Sequence, residues 1–445
     1  QMGVYICSHC HILLALWDGK PAQMIGGTAN VIQFHQWDIM PGFTGDNTRM
    51  RQILADDESD LVYHIVCSRD RPDGEPAESF RPLQALWFTT DAENPRTEEL
   101  PPQYVEIFRR TSQFNEDAVK YESQIETGSW PLLPKDAPED LKKAVSKIDR
   151  MFRISDYLAI HYQTRVTLAL RIIYSLAVLM GIAFIAYTDI PGGDFMVYAF
   201  LGLFGLGFVI YKVADRGAWH RMYLDYRALA EGLRVQFYWA AAGVKGERHS
   251  KYAHDNFLQK QDVELGWIRN VMRVAGHGGV DRMSGPPATG LDFAIQEWVG
   301  GEPDGPEGQL GYYVRKIDER IRHSKLTETI GTACLWAGIG VTAALAIAGN
   351  RLNESWSSAL IVLMGILPLI AAVREAYAQK RAEKELIKQY VFMSRIFKNA
   401  RRKLNEAAND NQRLQILRAL GNAALDEHAE WILIHRERPL EAGSL

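Results

Sequence analysis

The chain has 445 residues and a formal net charge of −4 at pH 7, with 50 Lys and Arg against 54 Asp and Glu. This length could form two or three domains, and the near balance of charge lacks the overall basic signature of a nucleic-acid-binding protein. The mean hydropathy of −0.18 is that of a soluble protein. It averages over four long stretches without any charged residue, so the distribution of apolar residues is more informative than their total.

The amino-terminal segment has the pattern of an α/β domain. Apolar residues at 4–7 and 11–16 predict a strand that ends at the turn 17–20, residues 26–30 open a predicted helix, and 61–67 predict a second strand. This order is half of a doubly wound sheet. The Gly-Gly-Thr at the strand-to-helix junction can bring backbone N–H groups to a phosphate, although a plain tight turn explains it equally. Because Gln1 stands close to a core strand, we expect the first half of this domain to precede the sequence given.

A cysteine motif invites a haem interpretation. Cys7, Cys10 and His11 match the C-x-x-C-H pattern of covalent haem attachment. That chemistry requires export from the cytoplasm, and we recognise no export signal here. We therefore expect buried, reduced thiols rather than haem, zinc or a redox pair. With only Cys67 and Cys334 in addition, no disulfide framework is expected.

Four uncharged runs can cross a membrane. They cover residues 172–188, 195–211, 329–350 and 355–373, and a spanning helix needs roughly 17 to 25 apolar residues. Residues 166–170 extend the first run if Arg171 reaches toward the interface. The sequence thus predicts two helical pairs, with spans at 166–188, 195–213, 327–349 and 355–373. The alternative is a buried core helix of a soluble protein, which is usually shorter and carries a polar stripe.

Basic residues predict the orientation of these spans. The turn at 189–194 has no Lys or Arg, and Glu354 balances Arg351 in the second turn. Lys and Arg are instead concentrated at 212–221, 315–325 and 374–381. By the positive-inside rule, both termini and the middle segment face the cytoplasm.

The two halves follow one plan, which predicts a duplicated two-span unit. Each half has a basic amphipathic approach (157–171 or 312–325), two spans, and a helix with an apolar seam. Seams of this spacing predict helices that pack together. The seam residues are Trp219, Met222, Tyr226, Leu229, Leu233 and Phe237 in the first half, and Leu386, Ile387, Tyr390, Val391 and Phe397 in the second.

Within the uncharged runs, small residues predict helix association within or between subunits. The absence of Asp, Glu, Lys and His from these runs argues against an ion-coupled carrier. A pore is permitted by this composition. The small residues are Gly202, Gly205, Gly207, Gly340, Ala344 and Ala348.

The predicted fold is mainly α: a polytopic membrane protein with long cytoplasmic helices and a partial, Rossmann-like α/β domain. Its segments are a partial α/β domain (1–90), a linker and helical connector (91–150), the first two-span unit with its stalk helix (151–245), a cytoplasmic helix and Gly/Pro-rich loop (246–311), the second two-span unit with its stalk helix (312–405), and a carboxyl-terminal helix and tail (406–445). Residues 243–274 are interpreted as helical and 277–309 as a loop.

No sequence pattern identifies a catalyst. We find no complete P-loop, nucleophile elbow or pair of glycosidase carboxylates. Glu427, His428, Glu430 and His435 lack the spacing of a metal site, so solvated or packing side chains are expected there. We predict no metal and no cofactor.

Several segments resemble known families. Residues 10–20 (C-H-I-L-L-A-L-W-D-G-K), 26–31 (G-G-T-A-N-V) and 62–66 (V-Y-H-I-V) resemble the later part of a SLOG domain, related to the cytosolic domain of TRPM channels. Residues 225–234 (D-Y-R-A-L-A-E-G-L-R) with Trp239, 266–269 (G-W-I-R) and 420–439 are similar to SLATT proteins, the SMODS- and SLOG-associating two-transmembrane effectors. Together these segments are spread over most of the chain.

The resemblance implies a bacterial conflict protein of the inner membrane. In such proteins the SLOG domain is proposed to bind or process a nucleotide-derived signal, and the membrane domain is proposed to form a pore that stops an infected cell from growing. The resemblance also implies a homo-oligomer and admits a nucleotidyltransferase partner system. Cys10 and Asn30 stand where acidic residues are expected in relatives, which weakens an enzymatic role. The residues that it places around the nucleotide-derived ligand are Asp18, Gly19, Gly26, Gly27 and Thr28.

Three hypotheses for the function follow. The first is a ligand-gated membrane effector, an oligomeric channel opened when the SLOG half binds its nucleotide. The second is a membrane-tethered enzyme that cleaves or modifies a nucleotide. The third is a scaffold whose spans only anchor it in the lipid bilayer.

Overall fold

A computed structural model describes most of the chain. The described residues are 2–7, 10–22, 26–37, 61–70, 72–89, 95–189, 193–244, 257–258, 263–276, 287–301, 305–348 and 353–436. The following predicted features lie wholly or partly outside these ranges: His9 of the cysteine motif, the centres of both inter-span turns, residues 277–286 of the predicted loop, and the end of the SLATT-like segment 420–439.

A small mixed sheet organises the amino-terminal part. Helix α1 (Met2–Cys7) precedes strand β1 (Ile12–Trp17), and helix α2 (Thr28–Trp37) connects it to strand β2 (Leu61–Val66), which pairs with β1 in parallel. Strands β3 (Ala85–Phe88) and β4 (Arg96–Thr97) then add antiparallel neighbours in the order β1-β2-β3-β4. The predicted helix after the glycine turn and the predicted second strand are therefore confirmed.

The prediction that residues 4–7 share the extended structure of β1 is wrong, because they belong to α1. Gly3 lies against the side chain of Val31, and Cys7, four residues later, is buried on the same side. A repeat of four is the period of a helix face rather than of a strand. In β1 itself the alternation holds, with Leu13, Ala15 and Trp17 in the core.

Helices connect the sheet to the long apolar segments. Helix α3 (Pro102–Lys120) starts with proline in its first turn, where a missing N–H leaves no hydrogen bond unmade. It continues into α4 (Glu122–Gly128). Phe114 of α3 packs its ring against Trp267 at a centroid distance of 5.7 Å. Trp267 belongs to helix α8 (Gly266–Gly276), which follows a single 3-10 turn at Val263–Leu265.

In the described part of the chain, four helices are long and apolar enough to cross a membrane. They are α5 (Glu139–Asp189), α6 (Met196–Arg216), α10 (Gly308–Ala348) and α11 (Glu354–Lys380). In the most apolar 18-residue windows of α6 and α11 no residue is buried, and only 17% of the window in α5 and 6% of that in α10 are buried. The predicted runs thus form helices whose apolar side chains are mostly exposed or half-buried.

Three further long helices complete the fold. Helix α7 (Trp219–Ala242) follows α6, helix α12 (Glu383–Glu406) follows α11, and α13 (Asp410–Arg436) ends the described chain. The predicted seam on α7 is buried at Met222, Tyr226 and Leu229. On α12 the seam residues Leu386 and Phe397 are buried. The prediction that these seams pack is confirmed.

Two predictions for the middle segment are wrong in part. Helix α7 ends at Ala242, because Gly243 adopts φ +79° and the N–H of Val244 donates to the carbonyl of Trp239. This is a glycine-terminated helix cap, so residues 243–274 are not one helix.

The predicted loop at 277–309 contains helical structure as well. Helix α9 (Gly290–Phe293) continues into a turn of π-helix at Ala294–Val299. Trp298 is buried there and contacts the ring of Phe397 at 6.1 Å. The glycines and prolines that suggested a loop flank this short apolar segment rather than interrupt it.

Contacts divide the chain into two compact units. The first contains residues 1–154 and 228–291, and the second contains residues 155–227 and 292–445. Helices α5 and α7 each contribute residues to both units.

Candidate functional site

The predicted ligand residue Asp18 follows directly after β1 and is completely buried. Its Oδ2 forms an ion pair with Nε of Arg69 at 2.8 Å, and its Oδ1 accepts a hydrogen bond from the N–H of Lys20 at 3.2 Å. The carbonyl oxygen of Asp18 accepts a further hydrogen bond from the N–H of Ala77. Asp18 thus holds three segments together at the end of the strand.

Gly19 forms the turn beside Asp18. Its φ of +77° lies in the left-handed region that glycine tolerates and other residues avoid. A Cβ at this position would lie 2.6 Å from the ring of Phe80. Backbone conformation and limited space therefore both require glycine here.

Gly26, Gly27 and Thr28 form the exposed to half-buried start of α2. Gly26 has φ +90°, and a Cβ on it would meet nothing within 4 Å among the described residues. The carbonyl of Gly27 accepts the first hydrogen bonds of the helix, from the N–H groups of Asn30 and Val31. Gly27 is therefore the N-cap, and the N–H groups of Thr28 and Ala29 come before the first residue that bonds within the helix.

The five predicted ligand residues form two groups. Asp18 and Gly19 belong to the turn after β1, and Gly26 to Thr28 begin the next helix. Within the described residues, no hydrogen bond or ion pair joins the two groups. In a β-α-β arrangement both lie toward the carboxyl end of the parallel strands, which is where open α/β sheets bind their ligands.

Two residues beside Asp18 and Trp17, Arg69 and His64, are not among the predicted ligand residues. His64 is buried in β2, its Nε2 lies 3.0 Å from the carbonyl oxygen of Trp17, and its ring packs against those of Trp17 and Phe80. Burial lowers the pKa of His64 below its usual 6.5, so the neutral form is favoured. The sequence signal that could have identified His64 is a histidine within the apolar residues of a predicted strand.

Most of the predicted small residues do not bring the described apolar helices together, although a Cβ at Gly207 of α6 would lie 3.7 Å from Leu176 of α5. A Cβ at Gly202, Gly205 or Gly340 would meet nothing within 4 Å among the described residues, and Ala344 is exposed. Ala348 ends α10. Among the described residues, Gly202, Gly205, Gly340 and Ala344 do not mediate the predicted close packing, and packing between subunits stays a prediction.

Other glycines make the close contacts between helices. Gly181 of α5 lies against Leu369 of α11, and a Cβ at Gly365 of α11 would lie 2.8 Å from Ile185 of α5. In the second hairpin, a Cβ at Gly338 would lie 3.0 Å from the ring of Pro368. Small residues in these helices therefore join α5 to α11 and α10 to α11.

Both two-helix segments end in the same unusual joint. Ala218 follows α6 with φ +48°, and Ala382 follows α11 with φ +50°. In each case the N–H of the alanine donates to a carbonyl three residues earlier, and its own carbonyl accepts from the residue four positions later. The stalk helices α7 and α12 then begin with the next residue, and both are 24 residues long.

Matching aromatic contacts accompany the joints. Tyr226 lies eight residues beyond Ala218, and Tyr390 lies eight beyond Ala382. Tyr226 packs against Tyr162 of α5 at a centroid distance of 5.8 Å, and Tyr390 packs against Tyr313 of α10 at 5.6 Å. The two halves therefore share their order of elements, their backbone joint and one aromatic pair.

The histidines of α13 pack against aromatic rings. Trp431 stacks with His428 at a ring-centroid distance of 5.1 Å and with His435 at 4.3 Å. The carbonyl oxygen of His435 lies 3.1 Å from Nε2 of His220. Packing, as expected, is thus their role in the structure. Among the described residues, no group of three His, Cys, Asp or Glu could hold a metal ion.

The cysteine motif has a structural environment. Cys7 is buried, and its Sγ donates a weak hydrogen bond to the carbonyl of Val31 at 3.5 Å. Cys10, Cys67 and Cys334 are half-buried free thiols. The expected burial is complete only for Cys7, and Cys10 of the same motif is half-buried.

In comparisons with protein families, with curated proteins and with solved structures, nothing matched this chain. The SLOG and SLATT assignments therefore rest on the sequence motifs quoted above.

Proposed function

We propose that the chain is an integral membrane protein with four transmembrane helices, a ligand-gated effector of the SLATT type that carries part of a SLOG domain. The observation that supports the membrane assignment best is the exposure of the apolar helices: no residue is buried in the most apolar windows of α6 and α11. Water would disfavour such long apolar surfaces, whereas lipid chains cover them without penalty.

The distribution of charge supports cytoplasmic termini. Arg171 and Arg374 border the uncharged parts of α5 and α11 on the side that is remote from the turns. The basic residues of 315–325 likewise precede the apolar part of α10. The positive-inside rule places these ends in the cytoplasm, which for a bacterial protein means the inner face of the inner membrane.

The start of α2 is the best candidate for the nucleotide site. The N–H groups of Thr28 and Ala29 come before the first helical hydrogen bond, and the helix dipole adds positive potential at that end. Asp18 is engaged by Arg69 and Lys20. We therefore infer that Asp18 shapes the site, whereas Gly26, Gly27 and Thr28 contact a phosphate.

Gating requires a ligand that binds the open state more tightly than the closed state. Helices α5 and α7 belong to both compact units, so each offers a continuous element from the part with the nucleotide site to the part with the apolar helices. The left-handed joints at Ala218 and Ala382 are where each stalk helix can change direction relative to the apolar helix before it. In this proposal, an oligomer of such subunits passes ions when the nucleotide is bound.

The test is ion flux from sealed liposomes that contain the purified chain, with a panel of cyclic and linear nucleotides. Gly27→Asp places a carboxylate where the phosphate would bind, and aspartate is favoured at an N-cap, so α2 should still form. Gln33→Asp adds the same charge at an exposed position of the same helix and serves as the control.

We expect flux with one nucleotide, loss of that response in Gly27→Asp, and retention in Gln33→Asp. Nucleotide turnover without flux would favour the membrane-tethered enzyme. A response that survives in Gly27→Asp would refute the assignment of the ligand site, and silence from correctly inserted protein would refute the channel.

A further inference from the structure

A cavity of about 260 Å³ lies among α5, α10 and the joint between α11 and α12. It lies beside the start of the apolar part of α5, because Arg171 directly precedes the uncharged run at 172–188. Four Lys and Arg side chains against two Glu side chains leave an excess of two positive charges around the cavity. These residues are Arg171, Lys316, Arg320 and Arg381, with Glu319 and Glu383, and His323 adds a further basic group.

Contacts among the described residues leave much of this positive charge without an anionic partner. Glu319 pairs with Lys316 at 2.7 Å. Arg320 instead lies over the ring of Tyr390 at 5.1 Å, and its buried Nε has no hydrogen-bond partner among the described residues. Arg381 donates to the neutral hydroxyl of Tyr377 at 3.3 Å. Like charges held together in this way repel each other, and a bound anion would relieve that repulsion.

We propose that this cavity binds a phosphate-bearing anion. Guanidinium groups match phosphate oxygens in planar, paired hydrogen bonds, and arginines come to this cavity from three different helical segments. Its volume is below the roughly 300 to 1,000 Å³ typical of sites for drug-sized ligands. It therefore suits a phosphate group with a small part of its carrier rather than a whole nucleotide.

The position of the cavity identifies two sources of phosphate. Basic pockets between membrane helices on the cytoplasmic side bind anionic lipid headgroups, and a soluble phosphate compound would reach the same place from the cytoplasm. Either would bridge α5, α10 and the segment at Arg381, next to the joint at Ala382. Phosphate binding would thus hold α12 in one position relative to α5 and α10.

This inference is independent of the proposed nucleotide site at α2 and rests on the proposed function only for the membrane setting. Its test uses the full chain and needs no ion flux. Inorganic phosphate is titrated calorimetrically into the detergent-solubilised protein, with chloride of equal ionic strength as the reference. Lipid retention is measured by native mass spectrometry after reconstitution in discs of phosphatidylcholine, with and without phosphatidylglycerol.

The variants are Arg320→Gln and Arg171→Gln, and the matched control is Arg322→Gln. Arg322 is exposed on the same helix as Arg320, donates to the carbonyl of Asp318, and does not line the cavity. Arg171 is itself exposed, so Arg171→Gln keeps the test valid if Arg320→Gln fails to fold. We expect about tenfold weaker binding in each cavity variant and no change in the control.

Retention of phosphatidylglycerol that depends on Arg320 and Arg171 would identify a lipid headgroup as the ligand. Calorimetric binding of inorganic phosphate with the same dependence would identify a soluble source. If neither probe binds, or if Arg322→Gln weakens binding as much as the cavity variants do, the proposal is overturned. If phosphate binds to the cavity but no nucleotide produces ion flux, only the proposed function is refuted.

Discussion

A charged substitution in the middle of α6 tests whether this helix spans a membrane or lies in water. Leu206 lies near the centre of Met196–Arg216 and is 50% exposed, in a window with no buried residue. At the centre of a spanning helix, leucine favours insertion by about 0.5 kcal/mol and arginine opposes it by about 3 kcal/mol. Leu206→Arg should therefore shift the insertion equilibrium by about 3.5 kcal/mol, or roughly several hundred-fold.

The same substitution in a water-exposed helix would change stability by only about 0.5 kcal/mol or less, since Leu206 is not part of a core. The control is Val213→Arg, which is 52% exposed and lies in the last turn of α6, next to Lys212. There an arginine reaches the interface, so insertion should be nearly unchanged.

The assay is glycosylation in microsomes of an acceptor sequence inserted between residues 245 and 250 of the full chain. The acceptor sequence stays unmodified when α6 stops in the membrane and spans it. It becomes modified when α6 does not stop there and is translocated completely into the microsomal lumen. We expect modification in Leu206→Arg and little in Val213→Arg. An unmodified, fully inserted Leu206→Arg, or a protein that is soluble without detergent, would refute the assignment of α6 as a span.

Three further predictions concern stability. Gly19→Ala should destabilise the protein by about 2 kcal/mol, because it strains the backbone and places a Cβ 2.6 Å from Phe80; denaturant titration in detergent measures this. Ala382→Val should lower the melting temperature, since a β-branched side chain is poorly tolerated at φ +50° and position 382 is fully buried. Burial lowers the pKa of His220 below its usual 6.5, so its contribution to stability is complete above pH 6.5 and is lost as the pH falls through the lower folded pKa. Melting temperatures from pH 8 to pH 5 should therefore decrease toward acid, and less so in His220→Gln.

Matched variants control these three predictions. Gly26 shares the positive φ of Gly19, but a Cβ there would meet no described residue within 4 Å, so Gly26→Ala should destabilise less. Equal losses would exclude the contact with Phe80 as the cause. Ala376→Val, at an exposed position on α11, should be nearly neutral, and a loss as large as that of Ala382→Val would contradict the role of the joint. His323 is exposed, and a pH dependence that changes as much in His323→Gln as in His220→Gln would not be due to burial.

Local pattern was sufficient for the long apolar helices, for the stalk helices, for α2 and for β2. The uncharged runs became parts of α5, α6, α10 and α11, and the glycine turn preceded α2, because helix formation and apolar length depend on residues close together in sequence. The seams on α7 and α12 could be predicted for the same reason, since helical periodicity brings residues three and four apart onto one face.

The predictions of side-chain contacts failed where residues distant in sequence determine the contact. Arg69 pairs with Asp18 from 51 positions away, and Gly181 and Gly365 pack across the bundle while Gly202 and Gly340 do not. No local pattern distinguishes one small residue in an apolar run from another, because the choice depends on which helix lies opposite.

The joints and the cavity show most clearly what the sequence by itself determined and what only the tertiary structure decided. The sequence determined which residues form helices and where charge is concentrated. Alanine has no preference for a left-handed conformation, so nothing local marks Ala218 or Ala382 as a joint. The cavity depends on Arg171 meeting Arg320 and Arg381 from far along the chain. Their proximity is a product of packing, because only the assembled helices bring these charges to one place.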